Sequence, residues 1–136
     1  MRKPLIAGNW KLYKALSDAS EFIADLKPLI HDVSDIDVVV SPVFTAITKV
    51  VEMTQGSNIM VAAQDCYWEE EGAFTGEVSP TLLKDAGCSH VIIGHSERRQ
   101  YFSETDETVN KKIKAAISSG LTAIMCRSEE HTSELQ

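Results

Sequence analysis

Five short apolar segments that do not alternate with polar residues are the feature that most constrains the fold of this chain. They lie at residues 5–7, 38–40, 60–63, 91–93 and 123–125, and longer amphipathic segments separate them. An uninterrupted apolar run of this kind is typical of a strand buried on both faces of a parallel sheet. Strands that alternate with helices at this spacing predict βα units joined by right-handed crossovers. The pattern alone fits both a closed barrel and a doubly wound open sheet.

Residues with strong capping preferences predict where some of the helices begin and end. Ser79 is expected to cap a helix whose first residue is Pro80, and Gly87 is expected just past its end. Thr105 predicts the start of a later helix that Gly120 closes. Apolar residues recur at helical spacing inside these segments, so each helix has one face to bury against the sheet.

Length and charge limit the kind of protein and partner. A chain of 136 residues with 43% hydrophobic residues can bury one core, so we expect a single domain. Its formal net charge of -7 argues against a nucleic acid partner, because a phosphate backbone attracts clustered lysines and arginines. The apolar runs are too short to span a membrane, and no secretory pattern follows Met1, so we expect a cytoplasmic protein without membrane contact.

The residues that commonly hold metals or cofactors show no recognisable spacing. Cys66, Cys88 and Cys126 form no CxxC pair, which is typical of reduced thiols. The four histidines lack the ligand spacing of a metal site, and no glycine-rich loop indicates a nucleotide. We therefore expect neither a metal nor an organic cofactor.

The segment from Asp65 to Val78 is longer than most loops that join a strand to a helix. It is acidic, and it carries Tyr67, Trp68 and Phe74. A mobile insertion is one interpretation, but aromatic side chains are enriched at protein interfaces. We therefore predict that this loop contacts another protein.

The first candidate site is the sequence GNWK at residues 8–11, directly after an apolar run. Ligands of α/β proteins bind beyond the carboxyl ends of parallel strands. Asn9 could orient a carbonyl or hydroxyl there, and Lys11 could neutralise a phosphate or a developing enolate oxygen. A polar turn that leads into a solvated helix explains the same residues.

The second candidate site is the sequence GHSERR at residues 94–99, which also follows an apolar run. Ser96 is expected to cap a short helix, and Gly94 is expected to leave room for a ligand beside His95. The positive end of a helix disfavours an added positive charge, and a neutral imidazole can still donate a hydrogen bond to a carbonyl. Glu97 could support the site or simply pair with the two arginines that follow it. Cys126 could line the same edge of the sheet or pack as a small hydrophobe.

Together GNWK, AQD, FTGEVS and above all VIIGHSERR resemble the triosephosphate isomerase family, in the family's order and spacing over residues 1–126. The resemblance implies a parallel (β/α)8 TIM barrel, of which this chain holds about the first five strands and four helices. It also implies an isomerase that interconverts dihydroxyacetone phosphate and D-glyceraldehyde 3-phosphate through an enediolate, without a cofactor. The family is the standard example of a neutral histidine that polarises a substrate carbonyl.

The resemblance also implies a role for individual residues. Lys11 and His95 match catalytic residues, and Asn9 and Lys11 match substrate-binding residues. Glu97 and Cys126 are expected to support them without touching the substrate. Thr75 and Gly76 match the tip of the loop that enters a neighbouring subunit, so a homodimer is implied.

The sequence departs from the family at its carboxyl end. Residues 127–136 read RSEEHTSELQ, which resembles the translation of a common DNA sequencing adapter, so we interpret them as a non-native tail that follows the barrel part, 1–126. The glutamate base of the family is then absent from this chain, and we expect the chain as given to be inactive. Two alternatives are another barrel enzyme that acts on a phosphorylated sugar and a non-catalytic fragment that acts only through the loop 65–78.

Overall fold

The structure, a computed structural model, describes residues 2–127 and contains one parallel sheet of five strands. The strands are β1 Leu5–Asn9, β2 Asp37–Ser41, β3 Ile59–Ala63, β4 His90–Ile93 and β5 Thr122–Met125. Each strand pairs in parallel with the next along the chain, so all carboxyl ends lie at one edge. A doubly wound sheet reverses its strand order at one point. The consecutive order here, β1-β2-β3-β4-β5, is instead that of a barrel, and the sheet forms half of one.

Helices connect the strands. They are α1 Leu16–Ile30, α2 Ile47–Thr54, α3 Pro80–Ala86, α4 Ser96–Tyr101 and α5 Asp106–Ser118, and a short 3-10 helix, Phe44–Ala46, precedes α2. Helix α4 is the short helix predicted after Gly94, and both α4 and α5 lie between β4 and β5. The predicted alternation of strands and helices is confirmed.

The predicted caps of α3 and α5 are confirmed by their hydrogen bonds. Ser79 Oγ accepts a bond of 3.2 Å from the backbone N–H of Leu82, and Pro80 occupies the first helical position. Gly87 ends α3 with φ +106°, a conformation that favours glycine, and a Cβ there would collide with Val51. Thr105 Oγ1 likewise accepts from the N–H of the third residue of α5 at 3.2 Å. Capping therefore fixes both helices where the sequence indicated.

Burial is greatest in the middle of the sheet. The core fills the space between the sheet and the helices, with fully buried side chains such as Ile23 of α1, Val50 of α2 and Leu83 of α3. The outer strands are different, because Ile6 of β1 and Met125 of β5 are each 58% exposed. Among residues 2–127, strands β1 and β5 are thus the two edges of the sheet, and each leaves one side of its backbone unpaired.

The predicted non-native tail starts at Arg127, and the remainder of it, residues 128–136, lies outside the described residues. Within residues 2–127, none of the helices has the length and apolar character that crossing a membrane would require.

Candidate functional site at the carboxyl ends of the strands

Both sequence motifs lie at the carboxyl edge of the sheet. Asn9 is the last residue of β1, and Lys11 follows it by two positions. His95 lies two residues beyond the end of β4. Because the strands are parallel, these residues share one end of the half-barrel, where ligands of such folds bind.

The turn after β1 holds Lys11 in an unusual backbone conformation. Asn9 Oδ1 accepts a hydrogen bond of 2.9 Å from the N–H of Lys11, which leaves the side-chain amide of Asn9 to act as a donor. Lys11 has φ +53°, a backbone conformation that residues other than glycine rarely adopt. Gln64 Nε2 stabilises this conformation by donating to the carbonyl of Lys11 at 2.8 Å and to that of Ser41 at 2.9 Å. The position of Lys11 is therefore fixed by β1, β2 and the residue after β3.

His95 is itself the N-cap of α4, so the expectation that Ser96 caps this helix is wrong. His95 Nδ1 accepts a hydrogen bond of 3.1 Å from the N–H of Glu97, and Ser96 is the first helical residue. The imidazole lone pair thus takes the place that a serine oxygen usually fills at a helix start. A ring that accepts at Nδ1 carries its proton at Nε2, so His95 can donate a hydrogen bond from Nε2.

The carboxylate of Glu97 lies near both motifs. Its Oε2 is 3.1 Å from Lys11 Nζ, and its Oε1 is 3.5 Å from His95 Nδ1. The second contact competes with the backbone N–H for the same ring nitrogen. We assign Nδ1 to the N–H, because the backbone bond is shorter and well directed, whereas 3.5 Å is long for a hydrogen bond.

The arginines that follow Glu97 have other partners. Arg98 approaches Asp65 and Arg99 bonds Asp106, so the predicted alternative in which these arginines simply pair with Glu97 does not hold for the described residues. The Lys11–Glu97 pair is about half exposed on both sides. Exposed ion pairs of this kind contribute at most about 1 kcal/mol to stability. An anionic ligand could therefore replace Glu97 as the partner of the Lys11 ammonium at little cost.

Cys126 packs at the base of the His95 loop. Its backbone N–H donates to the carbonyl of Ile93 at 2.9 Å, which extends the pairing of β4 and β5 by one residue. Its side chain is partly buried, and this burial raises the pKa of the thiol. A thiol with a raised pKa is a weak nucleophile at neutral pH. The structure therefore supports a packing role for Cys126.

Gly94 does not leave room for a ligand, contrary to the expectation from sequence. It adopts φ +76°, and a Cβ there would lie 3.1 Å from Val109 Cγ2 and 3.4 Å from the carbonyl oxygen of Cys126. The space beside Gly94 is therefore occupied by α5 and by the end of β5. Glycine is favoured here because of its backbone conformation and close packing.

Sequence reasoning missed a cluster of four charged side chains, Asp65, Arg98, Glu104 and Lys112, which we call the ion cluster. Arg98 is partly exposed, and the other three residues are buried. Lys112 Nζ donates to Asp65 Oδ1 and to Glu104 Oε2, at 2.9 Å each. Arg98 Nε lies 3.1 Å from Asp65 Oδ2 and 3.6 Å from Glu104 Oε2. Two cations and two carboxylates make the cluster electrically neutral. One signal was available, because Lys112 lies on the otherwise apolar face of α5, where a lysine requires a buried partner.

The pKa shifts in the ion cluster follow from its contacts. Burial opposes ionisation of Glu104, but hydrogen bonds from Thr108 and Lys112 and the charges of Lys112 and Arg98 outweigh it, so the pKa of Glu104 is lowered. Burial likewise opposes the charge of Lys112, but its bonds to Glu104 and Asp65 prevail and raise its pKa. Neighbouring Cys66 is buried beside Asp65, and its pKa is raised to about 12. Glu104 and Lys112 are thus ionised and Cys66 is a neutral thiol at neutral pH.

The loop predicted to contact another protein runs from β3 to α3, and its aromatic residues contact one another. Tyr67 stacks on Trp68 with ring centroids 4.1 Å apart and packs against Phe74 at 4.9 Å. The N–H of Tyr67 donates to the carbonyl of Val78 at 2.9 Å and so ties the two ends of the loop together. The aromatic side chains therefore order the loop from within, and its tip at residues 75–76 is exposed.

Residues 2–127 contain no group of three or more His, Cys, Asp or Glu side chains arranged to hold a metal ion. The chemistry that the described site offers is hydrogen bonding from Asn9 and His95 and the positive charge of Lys11. A parallel half-barrel of this strand order belongs to the class of βα-barrel proteins, whose active sites lie at the carboxyl ends of the strands.

Within that class, comparison with known proteins identifies the family. The triosephosphate isomerase family model matches residues 4–136, and this chain belongs to the triosephosphate isomerase family. The triosephosphate isomerases of Trichlorobacter lovleyi and Geobacter metallireducens are 67% and 63% identical to it over 129 residues, 95% of this chain. The crystal structure of triosephosphate isomerase from Bartonella henselae superposes with a TM-score of 0.89 at 34% identity, over 98% of this chain and 56% of that one. The chain spans about half the length of the curated relatives it matches, 51% in both cases.

Proposed function

We propose that residues 1–126 supply the carbonyl-polarising half of a triosephosphate isomerase active site. The reaction is the interconversion of dihydroxyacetone phosphate and D-glyceraldehyde 3-phosphate through an enediolate. The observation that carries the proposal is the hydrogen bond from the Glu97 N–H to His95 Nδ1, because it leaves an Nε2–H donor at the carboxyl edge of the sheet. A donor of this kind stabilises the negative charge that develops on the carbonyl oxygen as the adjacent C–H proton is removed.

Lys11 and Asn9 are proposed to bind the substrate in the same site. The ammonium of Lys11 neutralises the phosphate or the enediolate oxygen, and the amide of Asn9 donates to a substrate oxygen. The bond from Gln64 to the Lys11 carbonyl supports this role, because it holds the backbone in a rare conformation that would otherwise relax. Glu97 pairs with Lys11 when no anion is bound, and its partial exposure makes that pair easy to replace.

The base that removes the carbon-bound proton is proposed to be a glutamate in the half of the relatives that this chain does not match. General-base assistance is typically worth about a hundredfold to ten-thousandfold in rate. We therefore propose that residues 1–126 bind and polarise the substrate but need that second half for turnover. In this proposal residues 127–136 have no part in the site.

The proposed partner is a second copy of the chain, in a homodimer formed through the loop 65–78, whose tip is Thr75 and Gly76. The internal aromatic cluster supports this proposal, because a loop ordered before association loses less conformational entropy on binding. The same loop favours the second candidate function, in which the chain acts only by docking on a longer relative.

A chimera tests the proposed function. Residues 1–126 of this chain replace the corresponding half of the Trichlorobacter lovleyi enzyme, and conversion of dihydroxyacetone phosphate is measured in a coupled assay. We expect an active enzyme, and we expect His95→Gln to lower kcat by about a hundredfold to a thousandfold. The matched control is His31→Gln, because that ring is exposed and bonds only its own helix and Asp32 among the described residues. A folded, dimeric chimera without activity would leave the docking function as the better explanation.

A further inference from the structure

The placement of α4 determines the placement of His95, and α4 is too short to hold itself in position. It has six residues, and none of them is buried. A helix of this length is marginal in water without contacts outside it. Its orientation must therefore depend on anchors elsewhere in the fold.

Arg98 is the anchor that reaches the protein interior. Its backbone N–H donates to the carbonyl of His95 at 2.9 Å, so it lies in the first turn of α4. Its side chain extends to Asp65 and Glu104, whose side chains are 11% and 3% exposed. The neighbouring Arg99 bonds Asp106, which is 96% exposed, and a pair at the surface contributes little.

Asp65 is the carboxylate of the ion cluster nearest to Arg98. It is 3.1 Å from Arg98 Nε, compared with 3.6 Å for Glu104, whose two oxygens already accept bonds from Thr108 and Lys112. Lys112 fixes Asp65 from the other side at 2.9 Å. Asp65 also follows Gln64 directly, so one short segment after β3 contacts both the Lys11 turn and α4.

The contact between Asp65 and Arg98 is ionic. Arg98 Nε is buried and close to Asp65, yet its N–H does not point at either carboxylate oxygen, so no hydrogen bond forms there. Removing the negative charge of Asp65 without changing its shape should therefore be enough to release Arg98 from it. Asparagine provides that change.

We propose that Asp65 is a positioning residue for His95, acting through Arg98 and α4. The role of His95 itself rests on the proposed function. Asp65 attracts Arg98, Arg98 holds the first turn of α4 against the base of the loop 65–78, and that turn presents the Glu97 N–H to His95 Nδ1. Without Asp65 the first turn opens more often, and the ring of His95 loses its fixed direction.

The amide of Glu97 reports this opening directly. The first amides of a helix have no partner within the helix. The hydrogen bond to His95 Nδ1 is therefore what protects the Glu97 N–H from exchange with solvent. In the 15N-labelled 136-residue chain we expect Asp65→Asn to raise the hydrogen exchange rate of this amide by about tenfold or more, whereas the amides of Val39 and Val91 in the central strands keep their rates. Asp106→Asn, which removes the exposed carboxylate bound by Arg99, is the matched control and should leave the Glu97 amide unchanged.

An unchanged Glu97 amide in Asp65→Asn would overturn the proposal, and so would an equal rise at all amides, which would mean that Asp65 only stabilises the whole fold. Arg98→Gln provides a second test from the other end of the contact. If Asp65 acts through Arg98, the double variant exchanges at Glu97 no faster than the faster single variant, whereas additive effects would show that the two residues act independently. Exchange needs no substrate, so these results can contradict the role of Asp65 while the chimera remains active, and an inactive chimera does not alter them.

Discussion

Replacing Lys112 by methionine should destabilise the chain more than any neighbouring lysine replacement. The side chain of Lys112 is 5% exposed, and its ammonium donates to Asp65 and Glu104 at 2.9 Å each. Methionine keeps most of the apolar stem but leaves two buried carboxylates with Arg98 as their remaining close cation among the described residues. Breaking a buried ion pair by removing one partner costs about 3–5 kcal/mol. Two lost hydrogen bonds to charged groups, at about 1.5–3 kcal/mol each, give a similar range.

The effect should depend on pH in a defined direction. The pKa of Glu104 is lowered on folding, so its contribution to stability is present above its unfolded value of 4.5 and is lost as the pH falls through the lower folded value. The pKa of Lys112 is raised, so its contribution is present below 10.5 and is lost as the pH rises through the higher folded value. The difference between Lys112→Met and the native chain should therefore be largest near neutral pH and shrink as the pH falls below 4.5 and through the lower folded pKa of Glu104.

Urea unfolding followed by the fluorescence of the two tryptophans, Trp10 and Trp68, measures this difference. Lys111→Met is the matched control, because Lys111 lies next to Lys112 but is about half exposed, with Glu107 at 3.7 Å and the Trp68 ring at 5.0 Å. It should lose at most about 1 kcal/mol. Equal losses in the two variants at neutral pH, or a Lys112→Met loss that grows on acidification, would refute the account of the ion cluster.

Three further predictions concern single positions and can be checked by urea unfolding. Ser79→Ala removes the cap of α3 and should lower the free energy of unfolding by about 1 kcal/mol, whereas Ser79→Thr should retain most of it. Gly94→Ala should lower it by about 1–3 kcal/mol, because alanine would be strained at φ +76° and would press on Val109, and an unchanged value would show that the backbone can relax. Burial lowers the pKa of His90 from 6.5, an effect that the charge of Asp37 only partly offsets, so its contribution to stability is present at higher pH and is lost as the pH falls below about that value. His90→Gln should therefore flatten the stability profile between about pH 7 and pH 5, and an identical slope in both chains would contradict this assignment.

The strands and most helices could be predicted because their signals are local. The apolar runs marked the strands, and Ser79, Gly87 and Thr105 marked helix ends through preferences that depend on a few neighbouring residues. The start of α4 was misplaced by one residue. Serine is the commoner N-cap, but here the ring of His95, one residue earlier than Ser96, accepts the hydrogen bond from the Glu97 N–H.

Other features could not be predicted because they depend on contacts between distant segments. Apolar runs separated by helices are the same in a barrel and in a doubly wound sheet, so the runs alone could not separate the two. The family resemblance predicted a barrel, and the observed strand order confirms it. Asp65 and Lys112 are 47 residues apart, so their contact exists only after the strands have paired. Asn9, Lys11 and His95 could be predicted as site residues because their positions after apolar runs are visible in the sequence. The residues that hold them in place could not be predicted, because they make their contacts only in the folded chain.

In the mechanism proposed here, His95 presents a hydrogen bond donor from Nε2 because its Nδ1 is occupied by the Glu97 N–H. The 15N NMR spectrum of the imidazole nitrogens shows which nitrogen carries the proton, when it is recorded at a pH where the ring is neutral and assigned by comparison with His95→Gln. We expect an unprotonated Nδ1 and a protonated Nε2, with the Glu97 amide protected from exchange. A protonated Nδ1 and an unprotonated Nε2 would contradict it, because His95 could then no longer donate to a substrate carbonyl from Nε2.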